Sequence, residues 1–219
     1  MKPLWIAASV ALLVSPASAM LFALPGAAQT IPIADRSIDP RDARALRINF
    51  WAGELHVIAT DVRDIHLRLT GRCEGAWDDC RERAGQIEVV SQYTGDAVWL
   101  RLTGTHKFNP RGPKLILRIE VPRTLAVGID MSAGDLTVHG VERDLNVDMS
   151  AGDINIDLPE RRVRSVVMHV SVGDATLRHH GRVHGGEGWL GKRIDWDEGN
   201  GASRVRVKLT AGDANVLLR

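Results

Sequence analysis

The reading of the fold turns on MSAGDLTVHG, residues 131–140, because MSAGDINIDL, residues 149–158, repeats it eighteen positions later. Aligned on the acid of the turn, the motif recurs at Asp135, Asp153 and Asp174, and again at Asp213 in KLTAGDANVLL. Eight, six and four residues before the acid stand Val127, Ile129 and Met131 in the first copy. Leu145, Val147 and Met149, then Val166, Met168 and Val170, then Val205, Val207 and Leu209 take those places in the others. One and three residues after it come Leu136 and Val138, Ile154 and Ile156, Ala175 and Leu177, Ala214 and Val216. The positions between are mostly polar, with Val167 an exception. Apolar alternation on both sides of a turn specifies strand, corner, strand, with one face buried. Gly134, Gly152, Gly173 and Gly212 permit the positive φ of a tight corner, and the adjoining Asp and Ser can bond local N–H groups.

The corners are eighteen, twenty-one and thirty-nine residues apart. A degenerate copy at Gly191 and Lys192, in GWLGKRIDW, divides the last step, although Gly186, Gly188, Arg193 and Asp195 fill places that are apolar elsewhere. A period near twenty with two short strands per unit predicts an all-β chain of β-solenoid type, parallel β-helix-like, in which stacked coils close the core. An antiparallel β-sandwich is the alternative, since it also shows short alternating strands. Sandwiches do not usually repeat one corner in register. LRINFWAGELHV carries the same template earlier, with Gly53 and Glu54 at the corner. Residues 86–104 read as a hairpin turning at Thr94-Gly95-Asp96. KLILRIEVP, residues 114–122, reads as a strand leading into the array. The expected organisation is a lead-in over 29–45, a less regular N-terminal β region over 46–125, and the repeat solenoid over 126–219. The last two form one continuous domain, with no long helix.

Residues 1–28 differ from the rest. A Lys at position 2, an apolar run over 4–14 and small residues at 17–19 and 26–28 have the form of a secretory signal peptide, with the later site favoured for cleavage. Pro16 and Pro25 interrupt the apolar stretch, which weighs against a retained anchor. Export places the protein in the periplasm or at the cell surface. Cys73 and Cys80, the two cysteines, are then expected as a disulfide closing a short polar loop, worth about 2.5 kcal/mol on the chain-entropy model. Half of a zinc site is the poorer reading, because no His lies near them. A formal net charge of +1 argues against nucleic acid as a partner.

The Gly53-Glu54 corner, the KLILRIEVP strand ending in Val-Pro and the serial S-A-G-D units resemble the "putative adhesin" family of bacterial envelope proteins, from about residue 46 onward. The resemblance implies a β-solenoid and an exported location. It transfers no catalytic or binding residue, and fold does not settle function.

Two clusters are candidate metal sites. Stacked corners would place Asp135, Asp153 and Asp174 in an acidic ladder, about 4.8 Å per step, that a Ca²⁺ ion could relieve. The plainer account is that each Asp caps its own turn in solvent. His179, His180 and His184 in LRHHGRVHGG could bind Zn²⁺ or Cu²⁺. A solvated connecting loop is the plainer account there, because no carboxylate or Cys is adjacent. Neither cluster commits the chain to a metal, and no cofactor is expected. G-x-S-x-G, H-E-x-x-H and P-loop motifs do not occur in the sequence, so no catalytic residue is named. Trp51, Trp99, Trp189 and Trp196 could stack on sugars, but strand positions fit core or edge roles. The expected function is a non-enzymatic binding, adhesion-like or structural role in the cell envelope, with an envelope protein or a glycan as partner. A short-solenoid carbohydrate-active or metal-dependent enzyme is the first alternative. A membrane-tethered sensor component is the second, should residues 1–28 be retained. The chain ends on the strand VLLR with no polar cap, which points to self-association through solenoid ends.

Overall fold

A computed structural model describes residues 29–73, 77–104, 112–188 and 191–219. The expected signal peptide and Trp189 lie outside the described residues. The protein is all-β. Its strands, in chain order, are β1 (Gln29–Ile38), β2 (Ala45–Thr60), β3 (Ile65–Cys73), β4 (Glu88–Thr94), β5 (Ala97–Thr103), β6 (Lys114–Pro122), β7 (Ala126–His139), β8 (Leu145–Leu158), β9 (Val163–Val172), β10 (Ala175–His179), β11 (Arg182–Gly185), β12 (Lys192–Trp196), β13 (Ser203–Ala211) and β14 (Ala214–Leu218). They join into one large, mixed, open sheet.

The template explains how that sheet encloses a core. In β7, Val127, Ile129 and Met131 are buried before the corner, and Leu136 and Val138 after it. The step from 131 to 136 is odd. A straight strand would therefore send the second pair to the opposite face. The corner at Gly134 bends the strand instead, so both arms keep their apolar sides inward. β2 and β8 do the same without interruption. β9 with β10, and β13 with β14, are the same bent strand broken at the corner. Residues of both arms, from Ile38 to Leu218, share one hydrophobic cluster.

Pairing within this series is parallel and in register: Gly53 opposite Gly134, and Gly134 opposite Gly152. Glycine is required here twice over. Gly152 has φ +121°, and a Cβ on it would lie 1.9 Å from the Gly134 carbonyl oxygen of the coil beneath. The same overlap recurs at Gly134, Gly212 and Gly173. The backbone of one strand at the corner thus occupies the place that a side chain on the next would take.

Two expectations about the stack are corrected. The units do not pile up in chain order, because β13 and β14 pair with β8 on one side and with β9 and β10 on the other. The Gly212 corner therefore sits between those of Gly152 and Gly173. Between β8 and β9 the chain makes a 3-10 turn over Glu160–Arg162. That turn carries it across two strand spacings, about 10 Å, past a position filled later. The copy at Gly191 and Lys192 is not a parallel coil either. β12 runs antiparallel to β9, Lys192 opposite Val170 and Trp196 opposite Val166, and only Ile194 and Trp196 of it are buried. Lacking apolar residues at the template positions, this segment folds back as an edge.

Antiparallel strands also flank the other end, where β4 pairs with β5 and β3 with β6. The hairpin closes at Gly95-Asp96, as the sequence predicts. β1 edges β3, with a register shift between Pro32 and Ala34. Pro, charge and irregular register are devices that blunt an edge. The VLLR strand is not an end of the stack, because β14 lies inside the sheet between β8 and β10. Cys73 and Cys80 form the expected disulfide, Cα to Cα 6.0 Å. Cys80 does not lie in a loop, however. It sits on a short helix, α1 (Trp77–Gly85), that packs against β1 and β3.

Candidate functional site

The acids of the corners run in the order Glu54, Asp135, Asp153, Asp213, Asp174. Asp153 and Asp174, expected as neighbours, are separated by Asp213. Nor do the resolved Asp contacts cap their own turns. The Asp174 N–H donates to Asp213 Oδ1 at 2.9 Å, and the Asp213 N–H to Asp153 Oδ1 at 3.4 Å. Each carboxylate ties one coil to the next, a charge-assisted bond that opposes the repulsion between like charges. At the end of the ladder Glu54 replaces Asp. Its longer side chain reaches Lys114 Nζ on β6 at 2.7 Å. The Lys114 hydrogen bond holds the Glu54 carboxyl below its ordinary pKa, and Glu54 raises that of Lys114. This ladder is built of backbone and ion-pair contacts.

The histidines are arranged quite differently. His179 occupies the fifth position after the acid, where neighbouring coils carry Leu158 and Leu218, and it points inward as they do, only 7% exposed. His180 and Gly181 form the two-residue turn between β10 and β11, with φ +46° and +73°. Two positive φ values make a turn of type I′, where Asn or Gly is the usual choice. The left-handed backbone removes the strict alternation of a strand. It lets the His180 ring return to the same side as His179, within 5.6 Å, centroid to centroid.

Both rings meet Glu160, which sits on the 3-10 turn that skips a strand position. Glu160 Oε1 is 2.7 Å from His180 Nε2 and 3.9 Å from His179 Nδ1. His184, on β11, stacks on His179 at 5.0 Å and 11°, with the two Nε2 atoms 3.0 Å apart. Trp196 closes the other side, its ring 5.1 Å from that of His179. His179 Nδ1 is buried with no hydrogen-bond partner among the described residues. An open cleft of about 660 Å³ lies over the cluster, lined by Glu160, His179, His180 and Trp196 and by the exposed Arg161, Arg182 and Glu198.

The three candidate histidines are therefore brought together, against the plainer expectation of a solvated loop. The carboxylate missing from the sequence signature is supplied from nineteen residues upstream. A His at a core position of the template was the available signal for His179. Glu160 had no signal of its own, because its place depends on the out-of-order coil. Trp51 and Trp99 are half-buried, and Trp196 is buried against His179.

A polar surface occupies the outer side of the first arms. The register aligns Arg101, Asn49, Asp130, Asp148, Lys208, His169 and Arg193 in one row across seven strands. Trp99 and Arg47 begin the next row. A shallow groove of about 330 Å³ runs along these rows, over Gly128, whose missing side chain leaves room for the Arg47 guanidinium.

No family model and no curated protein matches the sequence. Similarity is found among solved structures. A protein described as a "putative cell adhesion protein" from Clostridium sporogenes superposes with a TM-score of 0.51 at 12% identity, over 89% of this chain and 100% of that one. A "putative adhesin" from Bacteroides fragilis gives 0.32 at 9%, over 85% and 97%. A "putative lipid binding protein" from Parabacteroides distasonis gives 0.25 at 9%, over 87% and 93%. At these identities the first of them speaks for the fold alone. Among the described residues no helix is long and apolar enough to cross a membrane.

Proposed function

We propose that the chain is a non-catalytic binding module of the bacterial envelope, exported by its N-terminal segment. It is built as a short β-solenoid whose antiparallel flanking strands cover the ends. The observation that carries this reading is the outer polar face. Parallel register converts single residues of seven strands into a continuous row of charged and amide groups. Strand spacing of about 4.8 Å fixes the row's pitch. Such a face is rigid before it meets a ligand, so little side-chain ordering opposes binding. Trp99 beside Arg47 offers a flat apolar platform of the kind on which sugar rings stack. The partner is an envelope glycan or an envelope protein that follows the groove. The adhesion-like description of the Clostridium sporogenes structure agrees with this assignment.

The test is affinity capture from envelope extracts with the full chain as bait, identifying proteins and glycans together. A saturable partner that is lost with the Asp148→Ala, Lys208→Ala double variant supports the reading. An empty capture, or one unchanged by that variant, overturns it. One observation favours a second reading, a metal-dependent hydrolase: Glu160, His179 and His180 converge in a cleft. Turnover of a glycan or ester by the metal-loaded protein would put that reading first.

A further inference from the structure

We propose that Glu160, His179 and His180 form a mononuclear site for a divalent transition metal of the Zn²⁺ and Cu²⁺ class, with His184 holding the His179 ring. Without a metal, either neutral tautomer of the His179 ring meets a difficulty. Its Nε2 shares one hydrogen bond with His184 Nε2. If His179 donates that bond, its Nδ1 lone pair faces the Glu160 carboxylate. If His184 donates, His179 carries a buried Nδ1–H without a hydrogen-bond partner among the described residues, since Glu160 Oε1 at 3.9 Å is too far to accept. Buried polar atoms are ordinarily satisfied, so this orphan calls for an occupant. A cation on Nδ1 removes the difficulty in the first case. It turns the lone pair and the carboxylate from opponents into ligands. The His184 bond then fixes the tautomer, the role an outer hydrogen bond plays behind most metal-bound histidines.

The geometry is close to what an ion needs. One donor atom from each of Glu160, His179 and His180 lies within 4.8 Å of the others. Ligand atoms around a tetrahedral ion at 2.0–2.1 Å stand about 3.3 Å apart. Glu160 and His180 would separate slightly and His179 would approach, shifts of about 1 Å. Glu160 sits on a turn and His180 is exposed, so both can adjust. Two imidazoles and one carboxylate are borderline donors, suited to Zn²⁺ and Cu²⁺ rather than to Ca²⁺. Three protein ligands leave a fourth position, and it opens to the cleft. Arg161 and Arg182 line that cleft but are exposed and screened by solvent. His180 itself is a departure from turn chemistry. Asn would fill the left-handed position more readily, and residues held in such conformations gather at functional sites.

The experiment is calorimetric titration of the untagged full chain, stripped with EDTA, using ZnCl₂ and separately CuCl₂ in a buffer that does not chelate. The expected result is one equivalent bound per chain. Glu160→Gln and His180→Asn should each weaken binding at least tenfold while leaving circular dichroism unchanged, since Asn suits the turn. Co²⁺ in place of Zn²⁺ should give the visible absorption of a tetrahedral nitrogen and oxygen site, lost in both variants. An absence of saturable binding overturns the proposal. So does binding that neither variant weakens, which would place the metal elsewhere on the surface.

Discussion

The middle of the stack and its distal end use the same strands for opposite purposes. In the middle, from β2 to β14, each position repeats the character of its neighbour: glycine over glycine, acid over acid, apolar over apolar. At the distal end, β10 keeps Ala175 and Leu177 and then puts His179 where its neighbours put Leu158 and Leu218. The Gly173-Asp174 corner is kept, but after β10 the turn His180-Gly181 reverses the chain into antiparallel β11. Repetition constrains the middle, because the backbone of one corner fills the space a side chain on the next would need. Departure from it releases the end from that constraint and leaves room for chemistry. His179 leaves a buried ring nitrogen unpaired at the departure, and the corner acids Asp153 and Asp213 accept hydrogen bonds from the neighbouring strand.

Glycine substitution should break this contrast most visibly. In Gly152→Ala the new Cβ would overlap the Gly134 carbonyl at 1.9 Å and hold φ at +121°. Backbone strain of that kind costs about 1–3 kcal/mol by itself, and the clash with a backbone atom that cannot move alone adds to it. A loss above about 3 kcal/mol is expected in denaturant melts, with propagation to both neighbouring coils. Gly181→Ala, also at positive φ, meets nothing within 4 Å. It should cost about 1 kcal/mol, from the left-handed conformation only. Equal effects at the two sites would show that the stacked carbonyls are not what excludes a side chain.

The same contrast explains what could be read in advance. Alternation and a recurring corner are local properties, so the strands flanking the glycine corners, the hairpin at Gly95-Asp96 and the disulfide were legible in the residues, whereas β1 lay within the expected lead-in. The order of stacking is not local. Successive coils eighteen residues apart are adjacent, as Gly134 and Gly152 are. The twenty-one-residue step to Gly173 contains three further residues, Glu160–Arg162, and skips a place. Nothing in the sequence says that those residues span a gap rather than decorate a loop. Glu160 joins the histidines only because of that gap, so the candidate site was half visible: three imidazoles without their carboxylate. Cys80 illustrates the same limit on a smaller scale. Its partner followed from composition, but its helix, nine residues with weak amphipathicity, did not.

The acid ladder gives a finer test. If Asp213 works as an acceptor for the Asp174 N–H, Asp213→Ala should cost about 1 kcal/mol, the net value of a typical hydrogen bond, since solvent screens the carboxylate at this exposed corner. Asp213→Asn keeps an acceptor and removes one of the stacked charges, so it should fall within about 0.5 kcal/mol of wild type. Chemical denaturation at low and high salt separates the two. A large loss in the Asn variant would mean that the charge itself is used, as in a cation site, and would move the acidic ladder out of the purely structural class.

The smallest effect is expected where the ladder meets the irregular end, at Glu54 and Lys114. Lys114 is half exposed, so the pair is screened and Lys114→Gln should cost less than about 1 kcal/mol. Its pH dependence identifies it. The Glu54 pKa is depressed by the Lys114 hydrogen bond, so its contribution is present above the ordinary carboxylate value and fades as pH falls through the lower, folded one. The Lys114 pKa is raised by Glu54, so its contribution is present below about 10.4 and fades as pH climbs through the higher, folded value. The stability difference between wild type and Lys114→Gln should therefore be flat across the neutral range and shrink in both acid and strong base. It should also weaken with added salt. A difference that instead persists below the carboxylate range would assign the role of Lys114 to packing of its methylene stem against β2, the corner strand it borders. In that case the irregular end, like the middle of the stack, would be held by shape rather than by charge.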